Sequence, residues 1–386
     1  MTTTIMTVRG PIDASQVLPG GILACQRVLQ KLPAHDADVA IAPEDLMRLR
    51  EHPLESQNAC LVSEDKAFRE LEALRSVGCN TIVDLQPKAL RDPRRLQSLA
   101  QRLDMHVLAS TSIDATQDAS VDAAAKALTL ELQFGMDDTS IQASVIYHVV
   151  DIRNVHSGHW AAVAQAQLAT SAPVYLELNP FPTCGYEADV LALLISFTGR
   201  RDKLVLCHCD LLPLSMLTQF AALQIVLSFD LSGLEAVTEV LPFATLPPAA
   251  YVPRDREIAA TLHVLLAAVP TAKVLINSTV HFKTQYTRYG GGGYTHIFAS
   301  FAARALTTAD VRARVLLHEP LALLAGYVPP PSAEIPKNYI DCSICKTAFE
   351  PIVGEYFTKF AFVYCSTKCL RKHRIANFAP LEEPSR

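Results

Sequence analysis

Ala143-Ser-Val-Ile-Tyr-His-Val-Val150, Ser157-Gly-His-Trp-Ala-Ala-Val-Ala-Gln-Ala-Gln-Leu-Ala169 and Pro173-Val-Tyr-Leu-Glu-Leu178 follow one another in the middle of the chain. The outer two are short runs rich in β-branched and apolar residues, and the one between them repeats its apolar residues at three- and four-residue intervals. Strand, helix, strand is therefore the reading, and a crossover of that length makes the two strands parallel. The same alternation extends in both directions. Strands are expected at 21–28, 80–85, 105–110, 143–150, 173–178, 204–209, 224–229 and 273–278, and helices at 93–103, 157–169 and 254–268. Eight strands with helical crossovers predict a closed (β/α)₈ TIM barrel of the α/β class, whose chemistry sits at the carboxyl ends of the strands.

A chain of 386 residues holds one large barrel and a small module and little more. Charged residues are 19% and apolar ones 50%, which implies a thoroughly buried core and excludes long disorder. A formal net charge of -5 gives no global attraction to nucleic acid or to an anionic membrane. The uncharged run 211–229 is interrupted by Pro213, Ser215, Thr218, Gln219 and Gln224 and reads as helix then strand, so no membrane association is expected. After residue 326, Val328-Pro-Pro-Pro-Ser-Ala-Glu-Ile-Pro336 is a stiff linker that cannot continue a helix. The expected domains are a barrel at 1–327, the proline-rich linker at 328–338, a zinc finger at 339–377 and a tail at 378–386.

Of ten cysteines, four form the pattern Cys342-x₂-Cys345-x₁₉-Cys365-x₃-Cys369. Four thiolates at that spacing suit one tetrahedral zinc ion with no open position, hence a structural zinc, one per chain, in a module too short to fold on its core alone. His373, four residues beyond Cys369, is a substitute ligand if one helix face presents both. The module resembles treble-clef fingers of the TRASH or FCS type, whose Phe-Cys-Ser-x-x-Cys core is echoed by Tyr364-Cys-Ser-Thr-Lys-Cys369. Residues 339–377 combine aromatics with Lys368, Arg371, Lys372 and Arg374, so a protein partner is expected there, with single-stranded nucleic acid the second choice. The other six cysteines, Cys25, Cys60, Cys79, Cys184, Cys207 and Cys209, show no framework spacing, and the amino terminus lacks a signal core; a reducing compartment, the cytoplasm or else the nucleus, is expected.

Thr7-Val-Arg-Gly-Pro-Ile12, Thr81-Ile-Val-Asp-Leu85, Cys207-His-Cys-Asp210 and the segment from Lys283 through Arg288-Tyr-Gly-Gly-Gly-Gly-Tyr294 to His296 together resemble the phosphotriesterase-related family of the amidohydrolase superfamily, over about residues 7–326. The resemblance implies a (β/α)₈ barrel with two divalent metals, held by His-x-His on strand 1, a bridging carboxylate on strand 4, histidines on strands 5 and 6 and an aspartate on strand 8. This sequence departs from that set. The first pair falls on Cys25 and Arg27, or one residue earlier on Ala24 and Gln26. The bridge falls on Tyr147 or His148, Glu177 replaces the strand 5 histidine, His208 matches on strand 6, and Thr279 replaces the aspartate. Strand alternation places Cys207 and Cys209 on the face opposite His208.

With one matching ligand, the barrel metal is expected to be absent and the barrel reads as a pseudoenzyme, a scaffold or interaction protein acting through its finger. The alternative is a metal-dependent hydrolase of ester, phosphoester, lactone or amide bonds with a remodelled mononuclear site of His148, Glu177 and His208, since two histidines and a glutamate form a known catalytic zinc set.

Overall fold

The computed structural model describes residues 4–31, 39–52, 59–114, 119–179, 186–234, 252–306, 308–325, 340–349, 357–359, 362–375 and 378. Two compact units divide the chain, Met1–Pro329 and Pro330–Arg386. The linker at 328–338 and the tail beyond Phe378 lie outside the described residues.

Strands β1 (Thr4–Thr7) and β2 (Gly10–Asp13) form an antiparallel hairpin. Then β3 (Gly21–Gln26), β4 (Cys79–Asp84), β5 (His106–Thr111), β6 (Val145–Asp151), β7 (Val174–Asn179), β8 (Leu204–Leu206), β9 (Val226–Phe229) and β10 (Val274–Ile276) pair in parallel and in sequence order. All eight fall where the sequence predicts them. Their side chains sort into two layers, because successive residues of a strand point to opposite faces. Val83, Leu108, Val145, Tyr147, Tyr175, Val205 and Leu275 fill the interior of the barrel. Ile82, Val107, Ile146, Leu176, Leu206 and Leu227 pack outward against the helices. Each such buried side chain contributes roughly 1.5–3 kcal/mol.

The crossover helices follow from local chemistry. Asp92 accepts from the Arg95 amide and Pro93 occupies the first turn, so Pro93–Leu103 starts there and buries Leu96, Leu99, Ala100 and Leu103 at helical spacing. Ser157–Thr170 is capped by His156 and buries Trp160, Val163, Ala164 and Gln167. The uncharged run 211–229 resolves into the helix Leu214–Ala222 and strand β9, and among the described residues no helix is long and apolar enough to cross a membrane.

Two features were not read from the sequence. The hairpin docks on the barrel, where the Val8 amide donates to Val107 O at 2.8 Å, the Ser144 hydroxyl donates to Met6 O at 2.7 Å and Ile5 joins the interior layer. The second is the join between β10 and β3, which stand at the two ends of the sheet order. Side chains close it: Asn277 Oδ1 accepts from the Ala24 and Cys25 amides at 2.8 and 3.2 Å, and Thr279 Oγ1 donates to Cys25 O at 2.8 Å.

A buried cation ties the loop after β4 to the helix Val121–Gln133. Arg91, 4% exposed, donates Nη1 and Nη2 to the two Glu131 oxygens at 2.7 Å each and reaches Asp137 through Nε and Nη2 at 2.9 and 2.8 Å. Burial pushes both carboxyls up, but hydrogen bonds from Arg91 and its charge more than offset this and hold both below their ordinary values. Arg91→Ala is expected to cost about 3 kcal/mol in chemical denaturation, because it strands buried carboxylate charge. Folded carboxyls with depressed pKa values stabilise the fold fully above their unfolded values, near 4, and lose that contribution as pH falls through the folded ones. The difference between wild type and variant should therefore shrink below about pH 4, and a difference independent of pH would contradict this account.

Candidate active site and clustered cysteines

Strands β6 and β7 and the segments that follow β3 and β8 bring four polar side chains into the barrel interior. Arg27 follows β3 and is 1% exposed. It donates Nη2 to Tyr147 Oη at 2.8 Å and to Glu177 Oε2 at 3.2 Å, and Nε to His281 Nδ1 at 3.0 Å. The Tyr147 hydroxyl donates to Glu177 Oε2 at 2.6 Å. His208 Nε2 stands 3.5 Å from the same oxygen, and its Nδ1 stands 3.5 Å from Asp230 Oδ2. The second oxygen of Glu177, Oε1, is buried without a hydrogen-bond partner.

Electrostatics fixes the charge states. Burial pushes the Glu177 carboxyl up, but His208, Arg27 and the Tyr147 hydroxyl hold it far below the usual carboxylate range. Burial also opposes the Arg27 charge, and Tyr147 and Glu177 outweigh it. His208 is raised above the ordinary histidine value, since Glu177 and Asp230 outweigh its burial. His281 is driven well below that value by burial and by the neighbouring Arg27 charge, in keeping with an Nδ1 that accepts from Arg27. Asp230 is oriented by Ser228 Oγ at 2.6 Å, Asn277 Nδ2 at 3.0 Å and the His208 amide at 2.8 Å. Asp210 in turn accepts from the Asp230 amide at 2.7 Å, and burial together with the Asp230 charge lifts its carboxyl to about 7.

Three sequence expectations change here. The register ambiguity at strand 1 resolves to Cys25 and Arg27, and at strand 4 to Tyr147. His148 is not brought to Glu177 and His208: the residue after an inward Tyr147 faces outward, where the imidazole stacks on Trp160 with ring centroids 6.2 Å apart. Burial and the nearby His159 and His156 push it down to about 3, so it is neutral at pH 7. Cys207 is not opposite His208. Strand β8 stops at Leu206 and His208 takes a left-handed backbone, φ 57°, so alternation ends and Cys207 joins Cys25 in the interior while Cys209 packs outward. No residue-type signal marks that reversal. His148→Phe is expected to keep stability within about 1.5 kcal/mol and any activity within a few-fold, because a ring of similar volume preserves the stack; a loss of two orders of magnitude would return His148 to the site.

The donor set does not fit the dinuclear centre that the resemblance implies. A buried guanidinium, not an imidazole, stands at the end of strand 1, and it is paired with the strand 5 carboxylate. A cation fixed there repels a second one.

The sequence matches the phosphotriesterase family over residues 4–320. The chain belongs to the phosphotriesterase family. Among relatives, it is 27% identical over 327 residues to the N-acetyltaurine hydrolase of Salmo salar, covering 78% of this chain and 91% of that one. The N-acetyltaurine hydrolase of Rattus norvegicus matches at the same identity and coverage. A resiniferatoxin-binding protein from Rhodobacter sphaeroides has the same fold, with a TM-score of 0.72 at 22% identity over 83% of this chain and 94% of that one. The expectation of a phosphotriesterase-related pseudoenzyme that serves as scaffold is corrected by these relatives, which align along most of the barrel and bear hydrolase names.

Residues 337–381 match the Vms1-associating treble clef domain, which agrees with the treble clef expected. Strands β11 (Ile340–Asp341) and β12 (Ala348–Phe349) flank a turn in which the Lys346 amide donates to Cys342 O at 3.0 Å. Strands β13 (Phe357–Lys359) and β14 (Phe362–Tyr364) lead into the helix Thr367–Ile375. The sulfurs of Cys342, Cys345, Cys365 and Cys369 lie within 4.8 Å of one another, with Cys345 to Cys365 at 3.6 Å and Cys365 to Cys369 at 3.8 Å. His373 is not among them. It is 2% exposed, its Nδ1 is 3.0 Å from the Tyr364 hydroxyl and its ring packs edge-on to Phe362, so it belongs to the small core of the module.

Proposed function

We propose that the barrel is a hydrolase of small N-acylated amides. The observation that carries this reading is the alignment with N-acetyltaurine hydrolases along 78% of the chain, and the buried Arg27, Tyr147, Glu177 and His208 constellation gives it a chemistry. Amide hydrolysis needs a proton acceptor for the attacking water and positive charge or donors near the carbonyl oxygen, where negative charge builds. Glu177 has a buried oxygen without a hydrogen-bond partner, which can accept a hydrogen bond from the attacking water. Arg27 supplies a permanent cation whose place is fixed by Tyr147 and His281. His208 lies against both carboxylates and suits the return of a proton to the leaving amine.

The test is incubation of the purified full chain with N-acetyltaurine and a panel of other N-acylated amines. Release of acetate and free amine well above the buffer rate is expected. A folded wild-type chain that releases no amine from any member of the panel would sink the reading.

For the treble clef we propose one structural Zn²⁺ held by Cys342, Cys345, Cys365 and Cys369. Thiolates about 2.3 Å from a common ion stand about 3.8 Å apart in a tetrahedron. The sulfur separations of 3.6 and 3.8 Å support that arrangement.

A further inference from the structure

We propose that Cys25, Cys207 and Asp230 form a buried site in the barrel interior for one borderline-soft divalent cation of the Zn²⁺ class. The proposal does not rest on the hydrolase reading, and the two share only Asp230, which also stands beside His208. One sulfur from each cysteine and one carboxylate oxygen all lie within 4.8 Å of one another. Sulfur and oxygen donors about 2.0–2.3 Å from one ion stand a little under 4 Å apart, so a contraction of at most about 1 Å per pair separates this arrangement from coordination.

The three donors come from separate strand ends. Cys25 lies in β3, Cys207 follows β8 and Asp230 follows β9, so the cluster is built by the barrel and not by one local turn. They are 2%, 1% and 0% exposed. A carboxylate in the dry interior is costly to bury, and a shared cation offsets that cost. Asp230 is already oriented by Ser228, Asn277 and the His208 amide, the kind of outer support that fixes a ligating carboxylate.

An independent observation points into the same place. The Tyr175 hydroxyl is fully buried without a hydrogen-bond partner, and the groups acting on it electrostatically are Cys25, Cys207 and Asp230. It is suited to a fourth contact, either with the ion or with a water bound to it. Thiolate donors select zinc-like ions over magnesium or calcium. Binding would release the two thiol protons to solvent, leaving two thiolates and a carboxylate around a doubly charged ion. The one negative charge that remains faces Arg27, which feels Cys25 directly. Of the three donors only Cys25 occupies a position that the family resemblance assigns to a ligand, so this site is not the family's centre with substitutions. Its effect would be to tie β3 to the ends of β8 and β9.

The test counts metal on the full chain. Two zinc ions per chain are expected for the wild type, and one should remain in Cys342→Ser/Cys345→Ser, whose barrel is unaltered. Reconstituting that variant with Co²⁺ should give thiolate-to-cobalt charge-transfer absorption. Adding Cys25→Ser and Cys207→Ser, or Asp230→Asn alone, should remove the remaining ion. If the added cysteine replacements prevent folding, the count and spectrum of Cys342→Ser/Cys345→Ser still decide. No retained metal in that variant, cobalt bound without a thiolate band, or metal that survives loss of both barrel cysteines would each overturn the proposal.

Discussion

Glu177→Gln is expected to lower kcat/KM for amide hydrolysis by about 10²- to 10⁴-fold, the usual effect of losing a proton acceptor at the reacting centre. Glutamine keeps the size of the side chain and a carbonyl oxygen for Tyr147 and Arg27, but it cannot take a proton from water. The substitution also leaves Arg27 without its buried counter-ion, and breaking one side of such a pair typically costs 3–5 kcal/mol. Activity must therefore be read on folded protein. The double variant Arg27→Met/Glu177→Gln isolates the stability effect alone, since removing both charges of the buried pair should restore stability. Rates within a few-fold of wild type in folded Glu177→Gln would remove Glu177 from the chemistry.

Stripping zinc from the treble clef should unfold it. Metal binding supplies on the order of 10 kcal/mol in comparable zinc modules, far more than the core around Tyr364 and His373 can offer. The expected result is that chelation, or Cys342→Ser/Cys345→Ser, makes the segment following Pro330 rapidly cleavable by protease. The barrel, a separate compact unit, should stay resistant. A metal-free module as resistant as the loaded one would show that packing alone holds it.

The fold was legible because strand-like runs alternate with amphipathic stretches, some of which carry their own start signal, as Asp92 and Pro93 do for Pro93–Leu103. The treble clef was legible for a different reason: four thiols at two short spacings have few other uses. The interior of the barrel was harder. A strand buried on both faces shows no polar side, so Tyr147 and His148 cannot be told apart by pattern, and one slip exchanges inside for outside. At Cys207 the alternation itself ends, because His208 adopts a left-handed backbone. His208 alone matches the family's metal ligands, and that single match points to an inert barrel, which the hydrolase relatives correct. Sequence alone does not show that Arg27 and Glu177 pair in the interior as a fixed cation and a carboxylate held ionised.

The carboxamide of Asn277 has a wider significance than its two hydrogen bonds suggest. A cylinder normally distributes its cohesion evenly around the circumference, but here one line down the wall depends on a few side-chain contacts. That line is where the staves should part first when the protein breathes, admitting solvent to the backbone of β3 and β10 before it reaches β6 or β7. It also lies beside Asp230, so whatever engages that carboxylate also acts on the latch of the barrel.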